Sequence, residues 1–153
     1  MILPDVNVLV YAYRREAEDH DAYAAWLTTL VAGQDELALA DHCLTGFLRI
    51  VTSPRIFTDP APAAKALGFV DRLRRARRGR PIAATPSTWD VLAGHIGRDR
   101  NVRGNLMPDA YLAALAISHG CRLATADRGF ARYTGLEFFD PVAPDRTAEP
   151  PRR

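Results

Sequence analysis

The sequence is poor in the features that mark secreted, membrane-spanning and disulfide-stabilised proteins. Only two of its 153 residues are cysteines, and Cys43 and Cys121 have no partnering His or Cys motif beside them. Small disulfide-stabilised domains are dense in cysteine, so we expect both thiols to be reduced core residues. No apolar run could cross a bilayer, and Asp5 stands where a secretory signal would be basic and then apolar. We therefore expect a cytoplasmic protein without a membrane partner.

Lysine is also scarce, because almost all of the basic residues are arginine. The formal net charge is only +2, so overall charge decides little, but its distribution is uneven. Six arginines crowd one stretch of the chain, at Arg72, Arg74, Arg75, Arg77, Arg78 and Arg80. Arginine binds phosphate in a two-pronged manner, which is compatible with a nucleic-acid partner. A basic run at a helix end also suits the helix dipole and a solvated surface, so both interpretations stay open.

The remaining composition indicates one globular domain. With 48% apolar and 25% charged residues in 153, the chain can bury a real core but is short for two domains. We assign residues 1–142 to this domain. The last residues, 143–153, are rich in proline and charge, so we expect them to be a disordered tail.

Short apolar segments alternate with helical periodicity along the chain. The predicted strands are 2–3, 36–40, 81–85, 122–125 and 136–139. Strands that alternate with helices through short connections predict an α/β fold. We expect a mostly parallel central sheet of about four to five short strands, flanked by helices.

Several helix boundaries and faces can also be predicted. Asp41 and Ser87 are residue types that cap helices, and each precedes an apolar periodic stretch. Trp89 and Ile96 fall on the predicted inward face of their helix. Trp26 and Trp89 both follow apolar periodicity, which favours core packing over base stacking.

Three aspartates occupy the ends of predicted elements. Asp5 follows the first strand, Asp127 follows the fourth, and Asp109 lies in the first turn of the helix before that strand. The carboxyl ends of parallel strands share one edge of the sheet, so the fold can gather these groups. Gathered carboxylates repel each other unless a cation lies between them, and hard oxygen ligands select Mg²⁺ or Mn²⁺. Taken singly, Asp109 also suits a helix dipole and Asp127 a turn.

Four motifs, DVNVLVYAY, LTGFLRIVTSPRIF, DAYLAALA and TADRGF, together resemble PIN-domain proteins of the VapC toxin type. They occur in the family's order and extend nearly to Phe139. The resemblance implies an endoribonuclease dependent on Mg²⁺, with Mn²⁺ as a substitute. It also implies a homodimer and a VapB-type antitoxin whose C-terminal segment covers the active-site groove. By position, Asp5, Asp109 and Asp127 match family acids, and Thr125 matches the hydroxyl residue that accompanies the last acid.

Two departures from the family pattern bear on the metal site. Gly46 and Gly129 stand where many members carry acids, which favours one well-bound Mg²⁺ over a two-metal site. In this hypothesis Asp5 and Asp109 hold the metal, and Asp127 completes the acidic shell or orients water. Asn7 is expected to orient Asp5 or a water, although it also suits a helix start. The four histidines are interpreted as surface or helix-end residues: His20, His42, His95 and His119.

Substrate contacts and alternative functions complete the expectations. Arg49, Arg103 and Arg128 are the candidates for binding RNA around the acidic groove. A catalytically weak RNA- or protein-binding module that keeps the PIN fold is the alternative, favoured by the two missing acids. A phosphatase that uses Asp5 as nucleophile would need a second acid two residues later, where Asn7 stands.

Overall fold

The computed structural model describes residues 1–143 and has the predicted α/β architecture. The strands are β1 (Ile2–Pro4), β2 (Leu37–Ala40), β3 (Gly79–Ile82), β4 (Arg122–Ala124) and β5 (Phe138–Phe139). The helices are α1 (Val6–Tyr13), α2 (His20–Ala32), α3 (Asp41–Val51), α4 (Ala63–Arg74), α5 (Pro86–Arg98) and α6 (Met107–Ser118). Two short 3-10 helices cover Gly104–Leu106 and Arg128–Arg132. The predicted tail lies outside the described residues from position 144 onward.

The five strands form one parallel sheet in the order β3-β2-β1-β4-β5. The chain adds β2 and β3 on one side of β1, then returns to add β4 and β5 on the other. The strand order therefore reverses between β1 and β4, which is where open α/β sheets bind ligands. Leu3 pairs with Leu123 across these strands, and the backbone N–H of Asp5 donates to the carbonyl of Ala124 at 2.9 Å. The ends of β1 and β4 thus lie side by side.

The helices cover both faces of this sheet. Helix α1 contacts α2 and α3, and α3 contacts α4, whereas α5 packs on α6. Parallel crossovers are right-handed, so the reversal of direction after β3 places these two groups on opposite faces. The core between the layers includes Leu3, Val8, Phe47, Leu123 and Phe130, all at most 1% exposed.

Helix α5 differs from its predicted start and orientation. It begins at Pro86, and Thr85 and Thr88 form a capping box, so Ser87 is not the cap. Trp89 is 59% exposed and Ile96 is 43% exposed, so the prediction that they point inward was wrong. The buried face instead carries Thr88, Leu92 and His95. The hydroxyl of Thr88 hydrogen bonds with that of Ser118 on α6 at 2.7 Å, so the buried face of α5 is partly polar.

Smaller predictions also have outcomes. Asp41 is the first residue of α3 and makes no side-chain cap, because Ala40 occupies the cap position. Trp26 packs against the core and meets Phe139 edge to face, as expected. Cys43 and Cys121 are buried free thiols. Within the described part of the chain, every helix is too short or too polar to traverse a membrane.

Candidate active site

Asp5 is the buried centre of a group of polar side chains at the sheet's reversal point. It follows β1 directly and is 7% exposed. One carboxylate oxygen accepts the backbone N–H of Val6 at 2.7 Å, so Asp5 caps α1. A carboxylate is costly to bury unless hydrogen bonds or a cation compensate it. The local fold supplies the first of these from its own backbone.

Asn7 and Thr125 supply the hydrogen bonds to the other oxygen of Asp5. The Thr125 hydroxyl donates to this oxygen at 2.7 Å, and the Asn7 amide donates to it at 3.1 Å. Asn7 also donates to Thr125 at 3.2 Å and accepts the backbone N–H of Ala126 at 3.3 Å. Thr125 in turn accepts the backbone N–H of Asp127 at 3.1 Å. The two supporting residues therefore fasten the end of β1 to the end of β4 and fix the orientation of Asp5.

Asp109 and Asp127 approach Asp5 from two further elements. Asp109 lies in the first turn of α6, as the sequence predicted. Its side chain is half-buried. Asp127 follows β4 by three residues and caps the short helix Arg128–Arg132, with one oxygen accepting the N–H of Gly129 at 2.7 Å. Its carboxylate is exposed, so it is available to solvent and ligands.

The three carboxylates act on one another electrostatically. Burial, with smaller contributions from the charges of Asp109 and Asp127, raises the pKa of Asp5 to about 6 against the hydrogen bonds from Thr125 and Val6. Burial also raises the pKa of Asp109, and Asp127 adds to this effect. Repulsion of this kind stabilises the protonated acids when no cation is present. A cation at this edge of the sheet would relieve the repulsion and favour the carboxylate forms.

The donor set fits a hydrated divalent cation better than a closed cage. Within residues 1–143, no group of three or more His, Cys, Asp or Glu side chains could by itself hold a metal ion. Mg²⁺ does not need that many protein ligands, because it keeps several waters and uses one or two carboxylates with phosphate oxygens. A buried carboxylate with a raised pKa beside two others, all oxygen donors, matches that preference. Asp5 and Asp109 therefore stay the predicted ligands of such an ion.

Close packing accounts for glycine at positions 46 and 129, where many family members carry acids. A Cβ at position 46 would lie 2.9 Å from a methyl carbon of Val6, so α3 and α1 approach closely there. A Cβ at position 129 would lie 2.9 Å from the Asp127 oxygen that the Gly129 N–H binds. A larger side chain at either position would require its neighbour to move.

His42 and Arg132 belong to the site although sequence reasoning did not assign them to it. Both lower the pKa of Asp109, which places their charges near its carboxylate. His42 follows β2 by two residues, at the same sheet edge as Asp5, so the strand-end argument applied to it as well. Arg132 lies just beyond the motif that ends at Phe130. His42 is half-buried, and its burial lowers its own pKa.

One histidine departs from its predicted surface position, whereas the candidate RNA-binding arginines lie at the surface. His95 is not at the surface but 3% exposed, with its ring 5.1 Å from that of Tyr133. The candidate RNA-binding residues Arg49, Arg103 and Arg128 are all exposed. In the arginine-rich stretch, Arg80 pairs with Glu36 at 3.1 Å, a structural contact between β3 and the start of β2.

Comparison with known proteins agrees with this geometry. The family model described as "PIN domain" matches residues 2–136, which is most of the chain. The chain belongs to the PIN-domain family. Among curated relatives of this PIN-domain protein, ribonuclease VapC43 of Mycobacterium tuberculosis is 36% identical over 142 residues, covering 93% of this chain and 96% of the relative. Ribonuclease VapC25 of the same organism is 33% identical, covering 92% and 99%.

Solved structures share the fold of this PIN-domain protein. A chain in the crystal structure of VapBC2 from Rickettsia felis bound to a promoter DNA fragment superposes with a TM-score of 0.65 at 19% identity, covering 92% of this chain and 98% of that one. FitAcB from Neisseria gonorrhoeae gives a TM-score of 0.62 at 22% identity, with the same coverage. At these identities the likeness establishes the fold alone.

Proposed function

We propose that this protein is a metal-dependent endoribonuclease and the toxin of a toxin–antitoxin pair. The observation that carries the proposal is the convergence of Asp5, Asp109 and Asp127 where the strand order reverses, around a buried carboxylate whose pKa is raised to about 6. The full-length similarity to VapC ribonucleases supports RNA as the substrate.

Each residue has a distinct proposed role. Asp5 and Asp109 hold the divalent cation, Mg²⁺ or in its place Mn²⁺, and Asp127 completes the acidic shell or orients a water. Asn7 and Thr125 hold Asp5 in one orientation, because their hydrogen bonds leave its carboxylate little freedom to rotate. When bound, the cation neutralises charge on the scissile phosphate and lowers the pKa of water, so no histidine base is required.

RNA contacts and protein partners extend the proposal. Arg49, Arg103 and Arg128 remain the candidates for phosphate contacts, and Arg132 joins them because its charge lies near Asp109. The VapBC and FitAB complexes among the structural neighbours support an antitoxin partner. That this antitoxin is of the VapB type and covers the groove is a further part of the proposal. A homodimer and a cytoplasmic location are further parts of the proposal; the two reduced thiols are consistent with that compartment.

A catalytically weak binding module is the second candidate. It is favoured by Gly46 and Gly129, which stand where many family members carry acids and where a side chain would require a neighbouring side chain to move. Such a module would bind RNA or protein through the same groove without cutting a phosphodiester bond.

Cleavage of total cellular RNA separates the two candidates. The purified, antitoxin-free protein is incubated with RNA and Mg²⁺ or Mn²⁺, with EDTA and Asp5→Ala as controls. We expect discrete fragments that disappear with EDTA and with Asp5→Ala. If the folded protein cuts nothing with either metal, the binding module replaces the nuclease.

A further inference from the structure

A row of three aromatic rings leads from the acidic site onto the protein surface. The His42 ring lies 5.4 Å from the Tyr111 ring, which lies 6.1 Å from the Trp89 ring. His42 is beside Asp109, as its effect on the pKa of that acid indicates, and the Tyr111 ring joins the row through its contact with His42. We call these three side chains the aromatic row.

The outer end of the aromatic row makes little contribution to the core. Trp89 is 59% exposed, whereas its neighbour Thr88 is fully buried and bonded to Ser118. His42 and Tyr111 are half-buried. Together with its aromatic neighbours, this exposed tryptophan forms a contiguous patch, and such patches mark binding sites.

We infer that the aromatic row is a stacking platform for unpaired RNA bases next to the scissile phosphate. This inference rests on the proposed function, because it takes the three carboxylates as the place where the phosphate binds. Aromatic faces stack on nucleobases of any sequence, and single-stranded RNA is the form whose bases are free to do so. A strand with its phosphate at Asp109 would carry its neighbouring nucleotides along this row.

The position of the row favours RNA over a protein as the occupant. It begins at the acidic site, so a ligand held there already runs alongside it. A protein partner on this face of α5 would also cover Ile96, which is 43% exposed and seven residues, about two helical turns, beyond Trp89. Ile96 has no link to the acidic site through the row, so it serves as the matched control.

Cleavage kinetics on a single-stranded oligonucleotide test the inference. Loss of one base stack lowers nucleic-acid affinity about 5- to 150-fold, so Trp89→Ala should raise KM by that factor with little change in kcat. Trp89→Phe should keep most of the affinity, and Ile96→Ala should match the wild type. Removing the base next to the scissile bond should weaken the wild type but add nothing to Trp89→Ala, since the two changes delete the same contact.

A binding measurement keeps the inference separate from the proposed function. The chain has two tryptophans, so Trp26→Phe leaves Trp89 as the only indole reporter. Its fluorescence should be quenched by the single-stranded oligonucleotide and not by the same sequence in a duplex. The measurement is made in EDTA if the protein otherwise cuts the RNA. If the wild-type protein cut no RNA but this quenching was observed, the proposal of a nuclease would be refuted and the stacking platform would stand.

Two results would overturn the platform. Base stacking would be excluded if Trp89→Ala kept the wild-type KM and if the single-stranded oligonucleotide did not quench Trp89 in the Trp26→Phe protein. The second result would come from sedimentation experiments. If Trp89→Ala and Ile96→Ala each converted a dimer to a monomer and left RNA affinity unchanged, this face would be assigned to a second copy of the chain.

Discussion

The raised pKa of Asp5 makes a quantitative prediction about stability in the absence of metal. The folded protein holds this proton with a pKa of about 6, against 3.8 for an ordinary aspartate. Protonation therefore favours the folded state, so the contribution is fully present below pH 3.8 and is lost as the pH rises through 6. The complete loss amounts to about 3 kcal/mol, and the part that falls between pH 5 and pH 8 is about 1.4 kcal/mol.

Urea unfolding of the metal-free protein at pH 5 and pH 8 measures this contribution. The comparison is with Asp5→Asn, which cannot titrate but leaves the other ionisable groups in place. The free energy of unfolding of the wild type should fall between the two pH values by about 1.4 kcal/mol more than that of the variant. Any fixed cost of the lost hydrogen bond is equal at both pH values and cancels.

Magnesium should reduce this pH dependence, because a cation beside Asp5 favours its carboxylate form. Equal pH dependence in wild type and Asp5→Asn, within about 0.4 kcal/mol, would refute the claim that Asp5 is a buried, destabilised carboxylate. A difference that persists unchanged in saturating Mg²⁺ would refute Asp5 as a metal ligand.

Three substitutions test the surroundings of the acids. Thr125→Val removes the hydroxyl that orients the buried carboxylate and should lower Mg²⁺ affinity about 10- to 100-fold in cleavage titrations, whereas Thr125→Ser should restore it. Gly129→Ala places a methyl group 2.9 Å from the Asp127 oxygen and should weaken metal activation about tenfold with little change in melting temperature. Gly46→Ala should destabilise by about 1 kcal/mol in urea unfolding, because crowding of Val6 outweighs the gain in helix propensity. Val6→Ala should relieve that crowding; equal losses with and without it would contradict the packing argument.

The placement of the three aspartates at element ends was predictable from the sequence, because strand ends in a parallel sheet share an edge. Asp5 and Asp127 each come shortly after an apolar strand, so the shared edge of the sheet brings them together. Pro108 marks the start of the helix that carries Asp109. Thr125 and Asn7 were also assigned, although their precise hydrogen bonds depend on the register between β1 and β4.

The orientation of α5 was not readable, because its buried face is partly polar. Hydropathy places Trp89 inside, but the hydroxyl of Thr88 bonds to Ser118 and the ring of His95 packs on Tyr133. Such contacts are tertiary and leave no periodic apolar signal. His42 also follows a strand at the edge that carries Asp5, but its relation to Asp109 exists only after α3 and α6 are brought together.

The central claim is that the gathered carboxylates hold the cation that enables RNA cleavage. Parallel titrations with Mn²⁺ test it most directly, one measuring metal binding by the protein and the other measuring cleavage, in wild type and Asp109→Asn. We predict one common midpoint for binding and cleavage in the wild type, and a shift of both by at least about tenfold in the variant. Cleavage that survives EDTA, or an Asp109→Asn protein that binds metal and cuts RNA at wild-type concentrations, would contradict the account.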